Sequence, residues 1–333
     1  MIELKPGQDH ERDDILFCLA HSASDDTWYT GSSDAGIHRL DASGAQTDQP
    51  PLLAHQSYVT GAAVAQGRLW SVGYDRLLNE WDLASGQLRS SRKAHAKWIR
   101  NIQVTPDGRM LATVGDDMIA RIWDAASGQL LKELKGHAPQ TPQGFSTMLY
   151  TCAFSSDGSL LATADRIGDI ILWEIRTGKI MHHLKAPIMY TWDEVQRLRS
   201  IGGIRSLCFS PDQTTLAAGG MGHVKNVDGL GGKARIEWFS VENGKQAGEF
   251  ESDTHKGLIE DLHYLEDGSH LISAGGSGKG FWICLDSSTQ KSVSEPESSM
   301  YIHRFHLDTK NHHILAVGHH KVQSWTLANT STS

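Results

Sequence analysis

Trp81–Leu88 reads WDLASGQL and Trp123–Leu130 reads WDAASGQL, two octapeptides 42 residues apart that share seven of eight letters. Self-similarity at such a spacing is the signature of a repeated structural unit. The decapeptide IRNIQVTPDG (Ile99–Gly108), slid along the chain, meets LYTCAFSSDG at Leu149, IRSLCFSPDQ at Ile204 and IEDLHYLEDG at Ile259. Weaker copies stand at Asp14, Val59 and Ile302, which makes seven. One column of this alignment holds Phe17, Ala62, Ile102, Cys152, Leu207, Leu262 and Phe305, separated by 45, 40, 50, 55, 55 and 43 residues. The base period is therefore near forty, with insertions in the longer steps.

Within a copy, apolar residues alternate over short runs, and turn tripeptides such as PDG, SDG and EDG divide the runs. That is the pattern of short antiparallel strands, not of helices. The octapeptides then find a place. Trp-Asp ends a third strand, ASG makes a tight turn whose glycine takes positive φ, and Gln-Leu starts a fourth strand. RTG (Arg176–Gly178), ENG (Glu242–Gly244) and ASG (Ala42–Gly44) repeat the turn.

With the Trp-Asp pairs, a His some 26–30 residues before each, and the period near forty, the chain resembles the WD-repeat β-propeller family along its whole length. The resemblance implies an all-β, single seven-bladed propeller of four-stranded antiparallel blades over 1–333. Its copies run roughly 10–48, 52–90, 93–133, 136–184, 202–250, 255–292 and 299–328. The N-terminal strand, residues 1–5, is expected to complete the last blade and remove an exposed sheet edge. The family's structural tetrad carries over as His55, Ser71, Asp75 and Trp81 in the second copy, and as His95, Thr113, Asp117 and Trp123 in the third. The first copy keeps His10, Thr30 and Asp34 but has Leu40 in place of Trp. The fourth keeps Thr163 and Trp173, with Ile167 in the Asp slot. In the remaining copies no tetrad is legible. These groups satisfy one another and are read as structural.

Three insertions break the period: the stretch between His137 and Leu149, APIMYTWDEVQRLRSIG at 186–202, and a glycine-rich stretch between Pro211 and Trp238. The family topology puts all three on one face, over copies four and five. Thr191 and Glu194 form a capping box, and Trp192, Val195 and Leu198 follow at helical spacing, so a short amphipathic helix is expected over 192–200. The glycine-rich insertion lacks the GxxxxGK[ST] pattern of a phosphate loop.

By the same resemblance, residues flanking the first apolar position of each innermost strand ring the channel mouth. Asp13, Tyr58, Trp98, Met148, Gly203, Leu258 and Tyr301 stand before it; Ile15, Thr60, Arg100, Tyr150, Arg205, Glu260 and His303 stand after it. The candidate partner-binding residues are Tyr58, Trp98, Arg100, Met148, Tyr150, Arg205, Leu258, Glu260, Tyr301 and His303. Aromatics and arginines are the residue types that dominate protein interfaces. The competing structural reading pairs Arg205 with Glu260 on neighbouring copies.

Formal net charge is −8, which disfavours DNA or RNA as partner. No run reaches the about 18 apolar residues of a membrane span, and MIELKPGQDHERDD resembles no signal peptide. A monomer in the cytoplasm, without cofactor or metal, is expected. Cys18, Cys152, Cys208 and Cys284 sit singly in apolar segments and read as buried thiols. Six of 18 histidines fall between 303 and 320, yet His303 and His306 are three apart on a strand and face opposite sides, so convergence on one ion is not expected. No GxSxG, CxxCH or HExxH occurs. The reading is a non-catalytic scaffold that binds a protein or peptide at the mouth, with the insertions over blades four and five shaping the site. The alternative is a propeller hydrolase or oxidoreductase with a metal or cofactor in the central channel.

Overall fold

A computed structural model describes residues 2–195, 197–308 and 312–329. The described residues are strands and turns, apart from one turn of 3-10 helix at Pro187–Met189. The octapeptides behave as their sequence requires. Gly86 and Gly128 take φ of +69° and +68°, and each N–H donates to the Asp of its Trp-Asp pair, Asp82 O and Asp124 O, at 2.8 Å. The Asp side chains hold the same turns: Asp82 Oδ1 accepts from Ser85 N–H and O–H, and Asp124 Oδ1 from those of Ser127. The strand register slips beside Trp81 and Trp123, so both hairpins are bulged.

The innermost strands are the second half of Ile2–Ser22, then Val59–Ala65, Ile99–Val104, Leu149–Phe154, Ser206–Phe209, Leu258–Tyr264 and Ile302–Asp308. Each touches the next, and Ile302–Asp308 touches Ile2–Ser22 again, so the sheets form a ring. The expectation of seven separate four-stranded sheets is corrected. The described residues make six sheets of four or more strands, plus a two-stranded hairpin in the second insertion. The reason is the long first strand. Its residues 2–15 pair with the last strand, His313–Asn329, and its residues 16–22 pair with Thr27–Ser32. One continuous strand thus joins the last copy to the first in a single sheet, closing the ring with hydrogen bonds. The pairing of Ile2–Lys5 with Thr326–Asn329 is the closure expected from the sequence.

The core lies between neighbouring sheets, as repeat architectures require. Trp123 packs with Trp70, Val72, Leu78, Ile99 and Ile102 of the preceding and own copies, and Trp173 does the same one step on, with Val114, Ile122 and Leu149. Trp81, Trp123 and Trp173 each end a hydrogen-bonded relay. Trp81 Nε1–H donates to Ser71 Oγ at 2.9 Å, Ser71 meets His55 Nε2 at 2.8 Å, and His55 Nδ1 meets Asp75 at 2.9 Å. Trp123, Thr113, His95 and Asp117 repeat it at 2.9, 2.8 and 2.9 Å. Burial alone opposes ionisation of these two carboxylates, but the histidine bonds outweigh it and hold both below the usual range.

Two tetrad assignments are corrected. In the fourth copy the carboxylate comes from Asp165, two residues before Ile167: His137 Nδ1 lies 3.1 Å from it, and Asp165 also accepts from the N–H of Ile167 and Asp169. A fully buried Asp needs only the reach of the histidine, not a fixed sequence offset. In the first copy His10 bonds Ser43 O instead, and Asp34 pairs with His38 at 2.8 Å. With Leu40 in place of the Trp, no indole N–H is present to complete the relay.

The helix expected over 192–200 is also corrected. Tyr190–Asp193 and Arg199–Gly202 form a β-hairpin, with Gln196 outside the described residues. Tertiary contacts override the capping box: Thr191 Oγ1, its would-be cap, accepts from Val224 N–H at 3.1 Å, and Trp192 packs at a tilt on Phe145 at 5.2 Å. Arg197 and Arg199 reach Asp228 at 2.8 and 2.5 Å, so the three insertions touch in series and stand together.

Candidate functional site at the channel mouth

Residues at or just before the start of the strands that line the ring reach its mouth, where their side chains form a belt with residues of the connections. Trp98 stacks on Tyr74 with centroids 4.4 Å apart and planes 10° apart. Tyr74 stacks on Tyr58 at 5.6 Å, and Tyr58 on Phe17 at 5.4 Å. Phe17 meets His303 at 5.3 Å, and His303 meets Tyr301 at 5.0 Å. Tyr301 O–H donates to Glu260 at 2.7 Å. From the other end, Trp98 lies under the Arg100 guanidinium at 5.3 Å, Arg100 reaches Tyr150 at 5.6 Å, and Arg205 lies over Tyr150 at 3.8 Å. Side-chain contacts run all the way round the belt except between Arg205 and Glu260, which attract one another without forming a salt bridge. The structural reading that these two pair directly is therefore not what the chain does.

Arg100 is the anchor of this belt. It holds Asp116 through two bonds of 2.7 and 2.8 Å, donates to Tyr74 Oη at 2.6 Å, and touches Met148 Sδ at 3.5 Å. Its planar fork suits both partners, as an ammonium group would not. Met148 also accepts from Tyr150 O–H at 3.4 Å. Tyr58 and Trp98 remain 44% and 47% exposed, which sets them apart from the other belt aromatics as surfaces open to a partner. Beside them a cleft of about 540 Å³ is lined by Gln56, Ser57, Tyr74, Asp75, Lys97, Trp98 and Asp116.

Other expected mouth residues lie elsewhere. Leu258 is buried against Met221, Val224 and Val227, beneath the third insertion, and offers nothing to a partner. Gly203 is buried and its N–H donates to Met189 O. Thr60 is buried and donates to Ile99 O at 2.7 Å, tying two inner strands together. Phe17, Tyr74 and Asp116 belong to the belt but were not foreseen. A signal for the last two exists: each directly precedes the tetrad Asp of its copy, in GYD (Gly73–Asp75) and GDD (Gly115–Asp117).

The titrating groups respond to burial. Glu260 would be pushed up by burial, but Arg205, His303 and the Tyr301 hydroxyl draw it below the ordinary carboxylate range. His303 is pushed down to about 4, by burial first. The unfolded chain takes up that proton near 6.5, the folded chain only near 4. Between these values the unfolded state binds more protons, so the contribution is complete above about 6.5 and lost as pH falls toward 4. His303→Gln is expected to flatten the fall of stability between pH 6.5 and 4.5 by about 2–3 kcal/mol, read from thermal melts. Equal slopes for both proteins would refute this origin.

The histidines divide as alternation along the strand requires. His303 faces Tyr301 and His319, while His306 packs on Trp28 at 4.7 Å and near His21. The tightest acidic and histidine cluster among the described residues is Asp14, Asp34 and His38, away from the belt. There Arg12 already holds Asp14 through bonds of 2.6 and 2.9 Å, and Ser32 donates to it at 2.5 Å. The four cysteines are free thiols; burial pushes all four up to about 12, so none is poised as a nucleophile.

A family model described as WD domain, G-beta repeat matches residues 86–124, 128–174 and 192–225. Three segments of the chain thus match the WD repeat. Rat apoptotic protease-activating factor 1 is 28% identical over 200 residues, 60% of this chain and 14% of the rat protein. The human protein of the same name is 27% identical over the same shares. The small ribosomal subunit protein RACK1 of Medicago sativa is 31% identical over 138 residues, 40% of this chain and 38% of the relative. The chain thus spans a minor part of each of these relatives. No helix among its described residues is long and apolar enough to cross a membrane.

Proposed function

We propose that this WD-repeat chain is a non-catalytic interaction scaffold, one domain built from the copies delimited above, and that it binds a protein or peptide at the channel mouth. The observation that carries the reading is the belt from Trp98 through Tyr74 to Tyr58, which leaves two large aromatics open to solvent on a rigid support. Rigid aromatics bury much area at small entropic cost, and such residues dominate binding energy. The insertions add to the same face. Their exposed apolar side chains, Phe145, Ile188, Val195 and Leu198, stand on the connections between copies, as Tyr58 and Trp98 do. The proposed binding residues are Tyr58, Trp98, Arg100, Tyr150, Arg205, Glu260, Tyr301 and His303, with Met148 supporting them from below. The scaffold acts as a monomer in the cytoplasm.

The test is affinity capture with wild type and with a Tyr58→Ala, Trp98→Ala variant. Both side chains lie outside the core, so the variant is expected to fold, at the cost of their ring contacts with Tyr74, Phe17 and Arg100. Loss of two central aromatics is expected to weaken partner binding by roughly 30-fold or more. An unchanged set of partners at unchanged affinity would exclude the mouth as the binding surface.

A further inference from the structure

Three arginines lie in or beside the belt, Arg100, Arg205 and Arg304, and two have acceptors. Arg100 has Asp116 and Tyr74. Arg304 donates to the backbone oxygens of Glu260 and His303. Arg205 is different. Its guanidinium lies on the Tyr150 ring at 3.8 Å, no carboxylate stands within salt-bridge distance, and its Nε is buried without an acceptor. The neighbouring His303 Nε2 is likewise buried and unpartnered. Glu260, the nearest anion, is engaged by Tyr301 O–H. Leaving buried N–H donors of a charged group unmade costs more than leaving neutral ones, so such a group is accounted for by an acceptor that arrives from outside.

We propose that Arg205 is the anion-recognition element of the mouth, and that the partner segment presents a carboxylate to it. This rests on the reading of the mouth as a peptide site and narrows the chemistry of its ligand. A guanidinium over an aromatic ring spends none of its N–H donors on that contact, and its terminal N–H groups match the two oxygens of a carboxylate. The position fits as well. Arg205 stands at the one interruption of the belt, where Glu260 attracts it through space, so a ligand carboxylate entering there competes with that attraction but has no intramolecular hydrogen bond to break. The open aromatics Tyr58 and Trp98 then take the apolar flank of the same segment.

The experiment uses three N-acetylated random peptide libraries that differ only in where a carboxylate stands. One has central Glu and an amidated C-terminus, one has central Gln and a free C-terminus, and one has central Gln and an amidated C-terminus. The first two separate a side-chain carboxylate from a terminal one. Wild type is expected to bind one of these about tenfold or more tightly than the neutral library, with the advantage shrinking in high salt. In Arg205→Gln the advantage falls to within about twofold, whereas Arg205→Lys, which keeps charge without the fork, retains part of it. Glu260→Gln, which removes the facing negative charge, increases the advantage and gives a second reading should Arg205→Gln fold poorly. Equal binding of all three libraries, a preference for the neutral one, or a carboxylate preference that survives Arg205→Gln overturns the assignment of Arg205 and leaves the mouth as a peptide site. Failure of wild type to bind any library overturns the mouth reading and this inference together.

Discussion

Deleting residues 2–11 lowers the melting temperature by about 6–9 °C and turns a monodisperse protein into an aggregating one. The segment is the outer partner of the last strand: Ile2–Lys5 pairs with Thr326–Asn329, and Asp9–Glu11 with Lys321–Gln323. Its Leu4 is 4% exposed and packs in the cluster of Trp282, Met300, Phe305, Trp325 and Leu327. Removing it uncovers those side chains and costs about 4–6 kcal/mol for two or three large apolar groups. A chain of 333 residues loses about 1.5 °C for each kcal/mol. The uncovered strand also becomes an unpaired edge, which favours sheet-to-sheet association. Leu4→Asp tests the packing alone, because it keeps the backbone ladder and puts a carboxylate among tryptophans. Calorimetry with light scattering reads both effects. A deletion variant that melts within about 2 °C of wild type and stays monodisperse would mean that the ring closes without this strand.

Arg100→Ala is the point substitution expected to cost most at the mouth. The guanidinium is 14% exposed and its partner Asp116 is 11% exposed, so truncation strands a buried carboxylate. Loss of one partner of a buried pair costs about 3–5 kcal/mol. Arg100 also lies against the rings of Tyr74, Trp98 and Tyr150 at 4.9, 5.3 and 5.6 Å, contacts that vanish with it. The expected destabilisation is therefore about 4 kcal/mol. The double variant with Asp116→Ala is expected to be more stable than Arg100→Ala alone, because the orphaned charge is gone. A double-mutant cycle from denaturant unfolding gives the coupling, expected at about 2 kcal/mol or more. Additive costs would show that the pair contributes little and that the aromatic stack alone organises the mouth. Arg100→Lys restores the charge but not the two-pronged geometry, so it recovers only part of the loss.

Much of this architecture is local chemistry and could be read one residue at a time. The Trp-Asp-x-Ala-Ser-Gly turn needs a glycine at positive φ and an Asp to accept the following N–H and O–H groups, and Asp82 and Asp124 do both. The relays of the second and third copies follow from side chains at fixed strand positions, so their spacing sufficed. Asp165 escaped because a relay constrains where an oxygen lies, and a backbone that bends differently can bring it from two residues earlier. The hairpin at 190–202 escaped for a related reason. Thr191 and Glu194 favour a helix start only while Thr191 is free to cap, and in the folded chain it serves Val224.

The belt shows the same division at the site. Alternation along each inner strand places Arg100, Tyr150, Arg205, Glu260 and His303 toward the mouth, and that much depends only on position within a copy. Tyr74 and Asp116 come from the connection after the second strand, where their approach to Arg100 depends on how two copies sit side by side. Strand periodicity, turn chemistry and the repeating tryptophans belong to the amino-acid order, because each involves neighbours along the chain. The fusion of the last and first copies into one sheet, the contact among the three insertions, and the unpartnered guanidinium of Arg205 belong to the assembled ring. Their partners lie far apart in sequence, and whether two such groups meet is set by packing that no single copy contains.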